Sequence, residues 1–260
     1  MDAREIPGGV WEVVAEGVSA QDLRAAIDAH VGLSDVLLAD HQPRLPKLFI
    51  SDMDSTMISA ECIDELADYA GIKEQIAQIT ERAMQGELDF AQALTERVGL
   101  LEGLAEEAIA QCLAERIAPM AGAKVLVETL KAKGVRTVLV TGGFHQFADP
   151  VAEQLGFERV VANRLGVEGG KLTGALDGPI CDSGTKKATL IEELAALGEG
   201  ALALATGDGA NDIPMIEASA YGVAFCAKPK ARAAANGWVD RGDLTAVLRL
   251  LGVPESEWVK

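Results

Sequence analysis

The stretch KLFISDMDST, residues 47–56, decides how the rest of the chain is read. Leu48, Phe49 and Ile50 form a short apolar, β-favouring run of the kind found in a buried parallel strand. Asp52 and Asp54 follow, two acids with one residue between them. If the extended direction carries on past Ile50, both carboxylates lean to the same side. Two like charges that close repel each other unless a cation or a shared proton sits between them. The pair therefore asks for a metal ion, and ligands of open α/β sheets bind at the carboxyl ends of strands. A plainer possibility is a strand followed by an Asp-rich turn in which Ser55 caps the next helix. The motif alone does not decide between them; two later stretches do.

Val135 to Val140 reads as a second buried strand, ending in Thr141-Gly142-Gly143. A hydroxyl and two bare glycines at a strand tip can turn several donors onto one phosphate oxygen. Ala201 to Ala205 is a third such strand, running into Gly207-Asp208-Gly209-Ala210-Asn211-Asp212. Between them, Asp182 to Ala196 predicts a helix carrying Lys186 and Lys187 in its first turns. Cations there oppose the helix dipole, a misfit expected where a positive charge has a task. Residues 151–180 read as a helix, a strand and a hairpin turning at Gly169-Gly170. Tyr221 to Cys226 is a fourth strand, with Trp238, Val239 and a helix at 243–251 as cover for the sheet.

Residues 58–118 have a different character: four helical patterns, near 60–70, 72–85, 89–101 and 105–117, and no convincing strand. Asp89 can cap the third, and Gly71, Gly86 and Gly103 separate the pieces. A helical block inserted directly after the first motif is placed to act as a lid. Within it Phe90 and Arg97 stand seven apart and share one helix face. Residues 1–46 predict a strand at 10–14, a helix at 20–30 opened by Ser19 and a strand at 36–38, with no assigned role.

The chain has 260 residues, 49% of them apolar, and 40 acids against 23 Lys and Arg, a net charge of −17. That charge disfavours DNA, RNA and anionic membranes as partners. An anionic substrate would need a local positive pocket. Cys62, Cys112, Cys181 and Cys226 make no CxxC pair, so a reduced cytoplasmic chain without a zinc site is expected. The acidic start shows no signal peptide, and no run approaches the ~20 apolar residues of a membrane span.

Three strands ending in DMDST, TGG and GDGAND, with a lysine-bearing helix before the last, place acids, hydroxyl, amide and ammonium at one sheet edge. Carboxylates for a divalent cation beside phosphate-holding donors point to phosphoryl chemistry. This set resembles the haloacid dehalogenase superfamily. Over residues 47–250, with ECIDELA, ITERAMQGELDFAQALTERVGLLEGL and FCAKPK alongside the core motifs, it is similar to the branch that hydrolyses O-phospho-L-serine. Thr141 departs from the serine more usual there, and both supply one hydroxyl.

The resemblance implies an α/β fold: a Rossmann-like three-layer sandwich around a mainly parallel sheet. Residues 47–58 and 119–260 would form the catalytic core and 59–118 a helical cap, leaving 1–46 as a short N-terminal β/α segment. It further implies a Mg²⁺-dependent phosphomonoesterase that acts through an aspartyl-phosphate in the last step of serine biosynthesis. Asp52 would be the nucleophile and Asp54 the general acid and base. Mg²⁺ would be held by Asp52, Asp208 and the backbone carbonyl of Asp54, with Asp212 supporting that shell. Thr141, Gly142 and Lys186 would hold the phosphoryl oxygens, Lys186 being favoured over Lys187 by its spacing from Leu190. Glu61 would meet the substrate ammonium and Arg97 its carboxylate, with Met84, Phe90 and Asn211 completing the substrate site. The alternatives are a phosphotransferase passing the group to another alcohol, and a phosphatase for another small phosphate ester. A non-catalytic phosphoserine sensor is disfavoured by the intact acid pair. The oligomeric state stays open, a homodimer being one option.

Overall fold

Every residue of the strand inside KLFISDMDST is buried, as a strand covered on both faces by helices must be. The structure is a computed structural model that describes residues 2–6 and 9–260, apart from the side chain of Met84. Strands β1 (Asp2–Ile6) and β2 (Val10–Val14), helix α1 (Ala20–His30) and strand β3 (Asp35–Leu37) precede this strand, β4 (Leu48–Ser51). Helices α2 (Cys62–Tyr69), α3 (Lys73–Met84), α4 (Phe90–Gly99) and α5 (Glu107–Arg116) follow it. Strand and helix then alternate through α6 (Ala123–Ala132), β5 (Arg136–Phe144), α7 (His145–Leu155) and β6 (Arg159–Asn163). The hairpin β7 (Leu165–Glu168) and β8 (Lys171–Leu176), α8 (Ser183–Leu197) and β9 (Ala203–Gly207) come next. The described chain closes with α9 (Ile213–Ala218), β10 (Tyr221–Phe225), α10 (Pro229–Ala234), β11 (Gly237–Val239) and α11 (Thr245–Leu250).

Seven strands form the main sheet in the order β3-β11-β10-β9-β4-β5-β6. All its neighbours are parallel except β11 and β3. Side chains alternate between faces along each strand. Phe49 and Leu139 accordingly join the core under α6, α7 and α11, whereas Leu48, Ile50, Val138 and Val140 pack with Leu190 of α8 and Met215 of α9. Three layers result, and helices cover both faces.

The register sets the site. Ser51 of β4 pairs with Leu139 of β5 and with Thr206 of β9, so the strands carrying the three motifs end close together. After β4 the sheet grows on one side through β5 and β6, and the chain then crosses to β9 on the other. The reversal leaves a crevice at the carboxyl ends of β4 and β9, where ligands of such sheets bind.

Two expectations need correction. The strand expected to end at Val140 runs on to Phe144, because Phe144 pairs with Asn163 of β6 beyond a register shift. Thr141-Gly142-Gly143 is thus an irregular stretch within β5 rather than a loop after it. Trp238 and Val239 belong to a strand of the sheet, not to its cover. Gly237 lets that strand in, since a Cβ there would lie 3.0 Å from Leu37 and 3.1 Å from Val223.

The N-terminal segment divides in two. Strand β3 closes the edge of the main sheet, and α1 is docked by Arg24, whose guanidinium lies 4.5 Å from the ring centre of buried Trp238. Arg232 stacks on the same ring at 4.6 Å. Among the described residues, strands β1 and β2 pair only with each other.

Helices α2 to α5 leave and rejoin the sheet at one place. Ile58 and Pro119 form an antiparallel bridge, and the Met120 N–H donates to the Met57 carbonyl at 2.8 Å. Asp89 caps α4 by accepting from the Gln92 N–H at 2.8 Å, and Gln92 returns the bond. The β7–β8 hairpin touches the block a second time, where the Gly103 N–H donates to the Leu172 carbonyl at 2.8 Å. Among the described residues no helix is long and apolar enough to cross a membrane.

Candidate active site

Asp52 continues the ladder one residue past β4, its N–H donating to the Thr206 carbonyl at 3.0 Å. That bond fixes the backbone and sends the carboxylate into the crevice, where it is only 4% exposed. Lys186 reaches it from the first turns of α8, a helix started by Asp182, which accepts from the Thr185 N–H. The Lys186 Nζ stands 2.7 Å from Asp52 Oδ1 and 2.7 Å from Asp212 Oδ1. Of the adjacent lysines, Lys186 is buried in the site and Lys187 is exposed.

Asp212 is fully buried, and both its oxygens are engaged. Oδ1 takes the lysine, and Oδ2 accepts from the N–H groups of Asp208 at 3.1 Å and Gly209 at 3.0 Å. Gly207 makes room for it: a Cβ there would fall 2.4 Å from Asp212 Cγ. Asp212 therefore shapes the loop that presents Asp208.

Oxygens of Asp52, Asp208 and Asp212 all lie within 4.8 Å of one another. Three carboxylates against one fully buried ammonium leave a surplus of negative charge in a low-dielectric place. Burial pushes the Asp52 carboxyl well up, Asp212 adds to this, and Lys186 pulls the other way. Burial also raises Asp208, an effect that Lys228, 3.5 Å away, reduces. Burial disfavours the Lys186 charge, but Asp52 and Asp212 more than offset it, so Lys186 is held above its ordinary range and stays charged. A hard, oxygen-only donor set with surplus negative charge fits a hard divalent cation such as Mg²⁺.

Asp54 lines the same cleft. Burial, and then the nearby Glu61 charge, push its carboxyl up to about 7, although its Oδ1 accepts from the Cys62 N–H at 3.3 Å. A carboxyl in that range can both give and take a proton near neutral pH. Gly143 passes close to it, since a Cβ there would lie 3.0 Å from Asp54 Oδ2. Ser55 has φ 56° and donates its hydroxyl to Glu61 Oε1 at 2.8 Å, which steadies Glu61 at the cleft rim.

Thr141, Gly142, Phe90, Arg97 and Asn211 line the cleft with the acids. Phe90 lies over Gly142, whose absent Cβ would meet the ring at 3.2 Å. Arg97 is half-buried on α4; burial lowers its pKa, and Asp64 and Glu61 act against that. Met84 ends α3, and its side chain lies outside the described residues. Ile63, Leu94, Phe144 and Lys228 also line the cleft, though sequence reasoning gave them no role. Lys228 had a signal in its basic motif AKPK next to an acid-rich site. His145, which follows the glycine stretch, meets Asp149 one turn on in α7 at 2.8 Å.

The chain is similar to known proteins in sequence and in fold. The family model of the haloacid dehalogenase-like hydrolases matches residues 49–217. A phosphoserine phosphatase of Albidiferax ferrireducens is 44% identical over 210 residues, covering 78% of this chain and 89% of that one. A haloacid dehalogenase family hydrolase from Salmonella enterica serovar Typhi superposes with a TM-score of 0.85 at 29% identity, over 93% of this chain and 84% of the other. A structure described as a phospho-aspartyl intermediate analogue of phosphoserine phosphatase gives 0.71 at 38% identity, over 79% and 99%.

Proposed function

This chain belongs to the haloacid dehalogenase-like hydrolase family, and we propose that it hydrolyses O-phospho-L-serine to L-serine and phosphate. The observation that carries the substrate is the company Asp52 and Asp54 keep. One cleft holds this acid pair together with Glu61 and Arg97, an acid for an ammonium group and a planar guanidinium for a carboxylate. Phosphoserine carries both groups next to its phosphate.

Asp52 is the nucleophile. Its carboxylate oxygen attacks phosphorus as the bond from phosphorus to the seryl oxygen breaks, leaving an aspartyl-phosphate. Asp54, protonated in the encounter, gives its proton to the departing seryl oxygen. It then takes a proton from water, whose oxygen displaces Asp52 from phosphorus and restores both carboxyl groups. The Thr141 hydroxyl, the Gly142 N–H and Lys186 hold the phosphoryl oxygens and offset charge as it builds. Lys186 supplies the local positive charge that so acidic a chain requires.

Asp52, Asp208 and the backbone carbonyl of Asp54 would hold Mg²⁺, which when bound neutralises charge between nucleophile and phosphoryl oxygens. Asp212, with both oxygens already bonded, supports that set from behind. Helices α2 to α5 serve as the lid, with Phe90 over Gly142 excluding water while the aspartyl-phosphate exists. Asn211, which also lines the cleft, contacts the substrate.

The test is a panel of small phosphate esters with and without Mg²⁺. Phosphoserine hydrolysed fastest, inorganic phosphate as the product and no turnover after chelation are expected. A sugar phosphate turned over as well as phosphoserine would overturn the substrate assignment.

A further inference from the structure

Asn163, the last residue of β6, is 1% exposed, and both ends of its amide are used. Its Nδ2 donates to the Gly142 carbonyl at 2.8 Å, and its Oδ1 accepts from the Cys181 N–H at 2.7 Å. The Gly142 carbonyl and the Gly143 N–H belong to one planar trans peptide and point in opposite directions. With the oxygen held by Asn163, the N–H is turned onto Thr141 Oγ1, which it meets at 2.9 Å. A hydroxyl that accepts a bond keeps its own proton for another acceptor. Among the described residues no acceptor takes the Thr141 proton, and Thr141 faces the cleft. At its other end Asn163 holds Cys181, the residue before Asp182, which starts the helix carrying Lys186.

We propose that Asn163 is a positioning residue for phosphoryl transfer: its carboxamide sets the Gly142–Gly143 peptide plane and so aims the Thr141 hydroxyl proton and Lys186 at one anion. This rests on the phosphatase reading of the cleft but not on phosphoserine as its substrate. It also accounts for Asn163 at a buried position where an apolar residue would leave two backbone groups unpaired.

A double-mutant cycle tests it, with an aryl phosphate as substrate and inorganic phosphate as competing ligand. Asn163→Asp keeps the size and the acceptor for Cys181 but loses the donor for Gly142. It is expected to lower kcat/KM and weaken phosphate inhibition by roughly 10-fold each. On a Thr141→Val background the same change should cost less than about 2-fold, because the group it aims is gone. A full 10-fold loss on that background, or an Asn163→Asp protein equal to the wild type, overturns the proposal. Should Asn163→Asp fail to fold by thermal melting, Asn163→Ser takes its place; because it gives up both contacts, a protein equal to the wild type, or a loss undiminished on the Thr141→Val background, overturns the proposal. A wild type active on the aryl phosphate but not on phosphoserine removes only the substrate assignment. A wild type inert toward both removes the phosphatase reading and this proposal with it.

Discussion

The Lys186 ammonium lies 2.7 Å from one oxygen of Asp52 and 2.7 Å from one of Asp212, and all three groups are buried. Removing the cation leaves two buried carboxylates without their counter-charge. Lys186→Met is expected to abolish turnover and to cost about 3–5 kcal/mol in urea unfolding. Lys187→Met, on the exposed side of the same helix, should stay within about 0.5 kcal/mol and keep its activity. Two variants with equal effects would contradict the assignment of the lysine.

Crowded acids at the tips of β4 and β9 should make the fold itself sensitive to a cation. Adding Mg²⁺ to chelator-treated protein is expected to raise the melting temperature, with a gain of about 2.7 kcal/mol at 100 times the dissociation constant. Asp208→Asn should lose most of that gain. A wild type whose melting ignores Mg²⁺ would show that the fold does not hold the ion, and an Asp208→Asn protein that keeps the full gain would place it elsewhere.

Arg97 sits on α4 of the helical block and reaches the cleft from there, whereas Asp52 comes from the sheet, so Arg97 should choose the substrate without performing the chemistry. Arg97→Ala is expected to lower kcat/KM for phosphoserine by about 100-fold, the scale of a lost charge-assisted pair. Hydrolysis of an aryl phosphate should change by less than about 3-fold. Parallel losses on both substrates would show that Arg97 does not read the carboxylate.

Gly207 is confined by its neighbour, because a Cβ there would sit 2.4 Å from Asp212 Cγ. Gly207→Ala must push Asp212 off Lys186 or bend β9. A loss of about 1–3 kcal/mol is expected, accompanied by loss of turnover. Unchanged melting and activity would mean that the loop yields more freely than this packing allows.

Burial pushes Glu193 up, but hydrogen bonds from Arg159 and Arg136 outweigh it and hold the carboxyl below its ordinary value. A depressed folded pKa stabilises the protein above the unfolded value and ceases to do so as pH falls through the folded one. The stability advantage over Glu193→Gln should therefore be full at neutral pH and shrink as pH drops below about 4.5. An advantage that grows in acid would reverse the sign of this coupling.

The strands that carry DMDST, TGG and GDGAND were legible because consecutive apolar residues betray burial on both faces. Helices α2 to α5 were legible from glycine breaks and from Asp89. Other parts left little trace. Strand β1 reads DAREI, a charged run that shows no alternation and becomes a strand only by pairing with β2. Helices α9 and α10 have six residues each, too few to display a helical period. Asn163 gave no signal, because its partners Gly142 and Cys181 are 21 and 18 residues away in the chain. Lys186 could be ranked above Lys187 by spacing, yet only the fold shows one in the crevice and the other in solvent.

The bridge between Ile58 and Pro119 sets the entry and the exit of the helical excursion side by side. Because entry and exit are neighbours, a shorter, longer or unrelated insert can be spliced there without moving any sheet strand out of register, provided it can still seat against the β7–β8 hairpin. On the function proposed above, reactivity and choice of molecule would then be carried by separable parts, and a new specificity could be grafted onto an unchanged reaction centre.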